Sequence, residues 1–153
     1  MPDYYYRLPL RLDLITSGGQ NKQDTTATRE LMCSLEDSLW NHIYLILTTP
    51  FREVRFDDAF GSAIWEYDLN AGSEVNETRW ESSIKDMIED SVRSYEKRLE
   101  SIKIAVKLNR DGFTDAHRRL TITVTGYIRG LNRQGFTFQR DIIIAPFIAE
   151  HLR

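Results

Sequence analysis

Carboxylates are the residues of this chain whose spacing comes nearest to a recognisable chemistry. Five lie in one segment: Glu53, Asp57, Asp58, Glu66 and Asp68. A glycoside hydrolase needs two carboxylates about 5 to 9.5 Å apart, one of them in an apolar setting that raises its pKa. Glu66, beside Trp65, could meet the second condition. No second carboxylate or sugar cleft can be assigned, and acidic residues cluster by chance in a chain that is 28% charged.

The histidines and the single cysteine give no stronger signal. His42, His117 and His151 are far apart, and none has a second ligand at the spacing of a metal site. Cys33 stands alone before a predicted helix, which favours a small buried or half-buried thiol over a nucleophile. The sequence therefore predicts no metal, no cofactor and no catalytic residue.

Aromatic residues dominate the segment that holds the carboxylates. Pro50 biases Thr49 away from helical geometry, and four large rings follow around Gly61: Phe51, Phe56, Phe60 and Trp65. Surface loops are usually polar, so a loop with this many rings is either a lid on the core or a docking surface. We expect a core lid for most of the rings.

Two helices flank this loop. Ser34 and Asp37 form a variant capping box, which predicts a helix over 35–48. Its expected buried stripe is Leu35, Leu39, Ile43, Ile46 and Leu47. After a turn at 70–73, a second amphipathic helix of about 20 residues should begin near Asn76 or Glu77. Its apolar positions are Trp80, Ile84, Ile88, Val92, Tyr95 and Leu99.

Three strands are predicted after the second helix, over 102–108, 120–128 and 136–144, with turns at 111–112 and 130–135. The natural packing is an antiparallel meander of three or more strands under the two helices, a single α+β domain. The predicted divisions are an N-terminal arm over 1–33, partly extended or mobile, the domain itself over 34–148, and a tail over 149–153.

Composition excludes several functional classes. The 153 residues suit one core, and the net charge is -3 without a basic stripe, so nucleic acid is not an expected partner. No window resembles a signal peptide or a membrane span. A lone cysteine fits a reducing compartment. We expect a cytoplasmic protein without direct membrane insertion.

Two motifs carry a resemblance to a known family. They are "LTTPFREVRFDDAFGSAIWEYDL" and, further along, "YEKRL". Over about 34–146 the chain resembles the lysozyme-like (GPW) baseplate wedge family of phages, most closely its type VI secretion members, TssE. It departs from the pattern at Arg52, where the family usually has Gly, and at Lys97, where it usually has Pro. We interpret Arg52 as favouring a turn that avoids positive φ.

The resemblance implies a structural role without catalysis, in a cytoplasmic baseplate docked at the inner membrane. It implies contact with wedge subunits similar to TssF, TssG and TssK, with sheath subunits similar to TssB and TssC, and with a nearby VgrG-like spike hub. An edge strand, 102–108 or 136–144, would seed the sheath by β-augmentation.

The resemblance also marks Glu96, Lys97 and Arg98 as an interaction site at the end of the second helix. On charge physics alone, Glu96 and Arg98 would form a solvated ion pair worth at most about 1 kcal/mol. Two rival functions stay open: a wedge protein of a phage or extracellular injection particle, and a peptidoglycan-cleaving muramidase.

Overall fold

The computed structural model describes residues 5–7, 31–65, 74–109 and 118–144. Its contacts divide the chain into two compact units, Met1–Leu45 and Ile46–Arg153. The described residues form two helices, a three-stranded antiparallel sheet and a two-stranded sheet, which confirms the predicted α+β class. Neither described helix is long and apolar enough to cross a membrane.

The first unit contains a short sheet and most of the first helix. Strand β1, Tyr5–Tyr6, pairs antiparallel with β2, Met32–Cys33, and the Cys33 side chain is buried, as predicted. Helix α1 spans Leu35–Thr48 and thus has the predicted bounds. The Asp37 amide donates to Ser34 Oγ at 3.0 Å, so the expected cap forms and satisfies one of the free amides of the first turn.

The apolar stripe of α1 is also confirmed. Four of its five predicted residues are fully buried: Leu39, Ile43, Ile46 and Leu47. Leu35, at the first position of the helix, is half-buried. A spacing of three and four residues places these side chains on one face, which is why the sequence alone could identify them.

The second unit contains helix α2, Glu74–Tyr95, which lies against the first strand of the sheet. Trp80, Ile84, Ile88 and Val92 form its buried face, as predicted. Leu99 was wrongly assigned to this helical stripe. The helix ends at Tyr95, and Leu99 begins the next strand.

The sheet is the predicted meander. Strands β3 (Leu99–Asn109), β4 (Arg118–Ile128) and β5 (Gly135–Ile144) pair in the order β3-β4-β5. Alternate residues of each strand are buried on one face, and the other face is largely exposed. Ile142 is buried whereas Ile143 is 61% exposed, so the apolar end of β5 is covered on one face within the part of the chain described here.

A β-bulge interrupts the start of β3. The register with β4 shifts between Glu100 and Lys103, and Ser101 has a φ of 52°. Gly126 of β4 faces this bulge, where a Cβ atom would lie 3.0 Å from the Glu100 carbonyl oxygen. Glycine therefore lets the two backbones approach each other.

Several sequence predictions fall outside the described residues. They are most of the N-terminal arm (8–30), the turns at 70–73 and 111–112, the tail at 149–153, and the side chains of Glu66, Asp68, His117 and His151. The proposed divisions at 33 and 148 stay predictions.

Candidate docking site

The aromatic loop between α1 and α2 is closed at its base by backbone contacts. The Ser62 amide donates to the Thr49 carbonyl at 2.8 Å, and Pro50 forms a bridge with Ser62. Gly61 makes this closure possible, because its φ is 121° and a Cβ atom would lie 2.4 Å from the Thr49 oxygen. The site residue Gly61 is thus required by the geometry of the loop base.

Within the loop, tight turns hold the backbone. The Arg52 amide donates to the Asp58 carbonyl at 3.1 Å, and the Asp57 amide donates to the Val54 carbonyl at 3.1 Å. Arg52 has a φ of 65°, so the expectation that it avoids positive φ was wrong. The turn keeps a left-handed residue here although the residue is not glycine, and the surrounding hydrogen bonds hold it in that conformation.

Tyr95, in the last turn of α2, fastens the loop to that helix. Its hydroxyl donates to the Asp57 carboxylate, with both carboxylate oxygens at 2.9 Å. Asp57 Oδ1 also accepts the Ala59 amide at 3.1 Å. The Phe60 ring meets the Tyr95 ring edge-on, with centroids 5.0 Å apart and an interplanar angle of 78°. Burial, followed by the hydrogen bond and the charge of Asp57, raises the pKa of Tyr95 above its ordinary value of 10.0.

Trp65 fastens the other end of the loop. It closes a short 3-10 helix, Ala63–Trp65, and its Nε1 donates to the Leu47 carbonyl in the last turn of α1 at 3.1 Å. Phe60 and Trp65 therefore each contact a helix, Phe60 through Tyr95 of α2 and Trp65 through the Leu47 carbonyl of α1. The Trp65 side chain is only half-buried, however, which lowers the stability cost expected from its removal.

Phe56 departs from the core-lid prediction. Its side chain is 93% exposed at the tip of the loop, and Phe51 is half-buried. The neighbouring side chains of Arg55 and Asp58 are also exposed. The loop therefore presents one large ring on a backbone fixed by the turns and by Tyr95, which is the arrangement of an interface anchor.

The Glu96–Lys97–Arg98 triplet follows α2 directly. Glu96 was expected to be solvated, but its side chain is 1% exposed and binds Arg98 within the same chain. Its Oε2 accepts from Arg98 Nη2 at 2.6 Å, and its Oε1 accepts from Arg98 Nε at 2.8 Å and from the Arg98 amide at 2.9 Å. The pair is bidentate and largely desolvated, so the estimate for an exposed pair does not apply to it.

Arg98 and Lys97 are the parts of this triplet that a partner can reach. The Arg98 side chain is 32% exposed, and the exposed Lys97 donates from Nζ to the Arg93 carbonyl at 2.9 Å at the end of α2. Glu96 can influence a partner only by fixing the position of Arg98. The assignment of the triplet as an interaction site stays a prediction.

The carboxylate cluster is only partly described. Glu53 and Asp58 are exposed, and Asp57 is occupied by Tyr95 and the Ala59 amide. No group of three or more metal-ligating side chains occurs among the described residues.

Sequence reasoning missed the link between Asp57 and Tyr95. It treated Asp57 as a loop carboxylate and Tyr95 as one position of an apolar stripe. The two residues are 38 positions apart, and no local pattern connects them.

A known protein family matches the part of the chain that contains this site. The family model described as baseplate wedge protein gp25 matches residues 33–133, a span that includes α1, the aromatic loop, α2 and the Glu96–Arg98 junction. The chain belongs to this family. Membership implies association with other baseplate components. No sequence among curated proteins matches the chain significantly.

One solved structure has the same fold as this chain. It is the crystal structure of a candidate tail lysozyme from Geobacter sulfurreducens, with a TM-score of 0.58 and 17% sequence identity. The match covers 76% of this chain and 97% of that one. At this level of identity the likeness establishes the fold alone, so the name of that protein assigns no activity here.

Proposed function

We propose that this chain is a structural baseplate wedge subunit of a type VI secretion system and that it has no catalytic role. It would act in the cytoplasm, in a baseplate docked at the inner membrane. The observation that carries the proposal is the family match, because it spans both motifs on which the resemblance to TssE rests.

The geometry of the aromatic loop supports an assembly role. An exposed Phe56 on a loop fixed by Tyr95 and Gly61 loses little conformational freedom on binding, and such preorganised aromatic anchors contribute strongly to interfaces. Asp57, a carboxylate of the cluster that suggested glycosidase chemistry, is engaged in holding this loop.

The proposed partners are wedge subunits similar to TssF, TssG and TssK around a VgrG-like hub, and the first ring of TssB- and TssC-like sheath subunits. The sheath contact would use an edge of the three-stranded sheet, because edge strands expose unpaired backbone groups that a partner strand can bind.

Affinity purification tests this proposal. The tagged chain is expressed together with the products of its neighbouring genes, and we expect wedge and sheath subunits to co-purify with it. The proposal fails if the other subunits assemble with one another and leave the tagged chain behind.

A wedge protein of a phage or extracellular injection particle fits the same family. Neighbouring genes for a secretion ATPase and a membrane complex would support the type VI assignment, and tail-fibre and capsid genes would replace it with the phage function.

A peptidoglycan-cleaving enzyme is the rival of another class. Turbidity of a cell-wall suspension should stay constant when the purified chain is added. Clearing that Glu66→Gln abolishes would overturn the structural proposal.

A further inference from the structure

A small cavity lies beside the first helix, within the first compact unit of the chain. Arg7, which directly follows β1, lines this cavity together with Asp37, Trp40 and Asn41 of α1, and the volume is about 240 Å³. Pockets for whole small-molecule ligands usually enclose about 300–1,000 Å³, so this cavity has room for a single side chain. Because the family match covers residues 33–133, Arg7 adds to the cavity a residue from outside that match.

Two opposite charges line this cavity without neutralising each other. Arg7 and Asp37 both contribute to its wall, but no ion pair joins them in the part of the chain that the structure describes. The Arg7 guanidinium and the Asn41 amide also make no side-chain hydrogen bond to any residue of that part. The Asp37 carboxylate accepts the Ser34 hydroxyl at 2.9 Å through Oδ2, and a carboxylate can accept further bonds through its other oxygen.

These polar groups are complementary to a neutral group that both donates and accepts hydrogen bonds. A carboxylate in the cavity would be attracted by Arg7 and repelled by Asp37, and a cation would meet the reverse. A carboxamide avoids this conflict, because its carbonyl oxygen can accept from Arg7 while its NH₂ group donates to Asp37. The Asn41 side chain can donate or accept and therefore suits either end of a carboxamide.

Apolar side chains continue from the cavity along α1. The Trp40 ring stacks on the Tyr44 ring, with centroids 5.7 Å apart and an interplanar angle of 18°. Tyr44 and Leu45, one helical turn beyond Trp40 and Asn41, are 37% and 42% exposed. Trp, Tyr and Arg are the residues that most often dominate the binding energy of protein interfaces. The cavity thus belongs to a larger surface that suits a protein better than a free small molecule.

We infer that this surface binds a segment of another protein that inserts one glutamine side chain into the cavity. The carboxamide bridges Arg7 and Asp37, and the methylene groups of the glutamine pack on the Trp40 ring. Apolar residues of the same segment cover Tyr44 and Leu45. This site is separate from the aromatic loop, and the inference does not depend on the proposed function.

Titration of the ¹⁵N-labelled full chain with N-acetylglutamine amide, followed by NMR, tests the site directly. One side chain binds weakly, so the dissociation constant should be on the order of 10 mM. We expect saturable shifts of the Trp40 indole and Asn41 side-chain signals. The matched probes are the N-acetyl amides of glutamate and lysine, together with N-acetylglucosamine, and each should bind at least about fivefold more weakly.

Two variants test the donors of the cavity. Arg7→Gln and Asn41→Ala should each weaken binding of the glutamine probe at least about fivefold, because each removes one polar contact. Asn41→Ala leaves β1 unchanged, so it keeps the test valid if Arg7→Gln disturbs that strand. Arg55→Gln is the matched control, since Arg55 is exposed in the aromatic loop, and it should bind the probe as the unchanged chain does.

Several results would overturn the inference. Tighter binding of the glutamate probe would identify an anion site, tighter binding of the lysine probe a cation site, and tighter binding of N-acetylglucosamine a sugar site. The absence of saturable shifts with the glutamine probe, or full binding by both cavity variants, would also overturn it. None of these results bears on the proposed function, which co-purification of wedge and sheath subunits tests separately.

Discussion

At the scale of single residues, Arg52 shows how strongly the loop geometry is imposed. Its φ of 65° belongs to the left-handed region, which costs a side-chain-bearing residue free energy that glycine avoids. The amide of Arg52 is nevertheless bound to the Asp58 carbonyl, so the turn is retained.

Arg52→Gly should therefore raise the free energy of unfolding by about 1 kcal/mol, because relief of backbone strain outweighs the entropy gained by the unfolded chain. Chemical denaturation measures the change. Arg55→Gly is the control, since Arg55 is exposed in the same loop and has a negative φ, and it should lower stability by about 0.5–1 kcal/mol. Equal effects of the two variants would show that strain at Arg52 is negligible.

Tyr95 makes the stability of the folded chain depend on pH. Its pKa is raised in the folded chain by burial and by Asp57, so its contribution to stability is complete below pH 10.0 and is lost as the pH rises through the folded-state pKa. Denaturation of the unchanged chain and of Tyr95→Phe should give a constant stability difference from pH 7 to about pH 9. The stability difference between the two proteins should become smaller at more alkaline pH.

Tyr127→Phe is the control for this experiment, because Tyr127 is exposed on the sheet. A stability gap between Tyr95→Phe and the unchanged chain that persisted up to strongly alkaline pH would contradict the role assigned to the Tyr95 hydroxyl.

At the scale of elements, the junction between α2 and β3 is held by a charge pair inside the chain. Glu96 is buried against Arg98, and the Arg98 carbonyl accepts the Arg129 amide at 2.8 Å, which extends the pairing of β3 with β4. The junction therefore couples the end of the helix to the start of the sheet.

Arg98→Ala should lower the free energy of unfolding by about 2–3 kcal/mol, because it leaves the buried Glu96 without its partner. Glu96→Gln should cost less, about 1–2 kcal/mol, since it keeps the shape and removes the buried charge. Lys97→Ala, at an exposed position, should change stability by no more than about 0.5 kcal/mol. Thermal or chemical denaturation ranks the three variants, and a cost for Arg98→Ala as small as that for Lys97→Ala would refute the buried pair.

The buried pair of Glu96 and Arg98 affects how assembly experiments on this junction are interpreted. A variant that removes both charges would lose stability as well as any contact with a partner, so a failure to assemble would not identify an interface. Phe56 offers a cleaner probe.

At the scale of the whole molecule, Phe56 separates folding from assembly. Phe56→Ala removes an almost fully exposed ring and should leave the free energy of unfolding within about 0.5 kcal/mol of the unchanged value. Co-purification with wedge subunits should fall at least about tenfold if the ring is an interface anchor. Normal recovery of wedge subunits would remove Phe56 from the interface.

Trp65→Ala is the reciprocal variant. Its indole is half-buried and bound to the Leu47 carbonyl, so its loss should lower stability by about 2–3 kcal/mol, less than for a fully buried ring. A stability cost at Trp65 with none at Phe56 would show that the loop has one structural ring and one exposed for docking.

The sequence by itself determined the regular elements of this protein. These elements include the bounds of α1, its Ser34 cap, the stripe from Trp80 to Val92 and the three-strand meander. Each could be predicted because it depends on residues two, three or four positions apart. The same local motifs identified the family.

Only the tertiary structure decided which polar and aromatic groups are buried, bound or presented. Three examples depend on contacts between segments that are distant in sequence. They are the hydrogen bond between Asp57 and Tyr95, the exposure of Phe56, and the hydrogen bond from the Leu108 amide of β3 to Glu81. Glu96 and Arg52 each belong to a short sequence motif, but their properties depend on the folded chain. Glu96 is buried by desolvation at the helix end, and Arg52 has a positive φ because the loop closes on α2. Periodicity carries no information about such contacts, because they arise when separate elements come together.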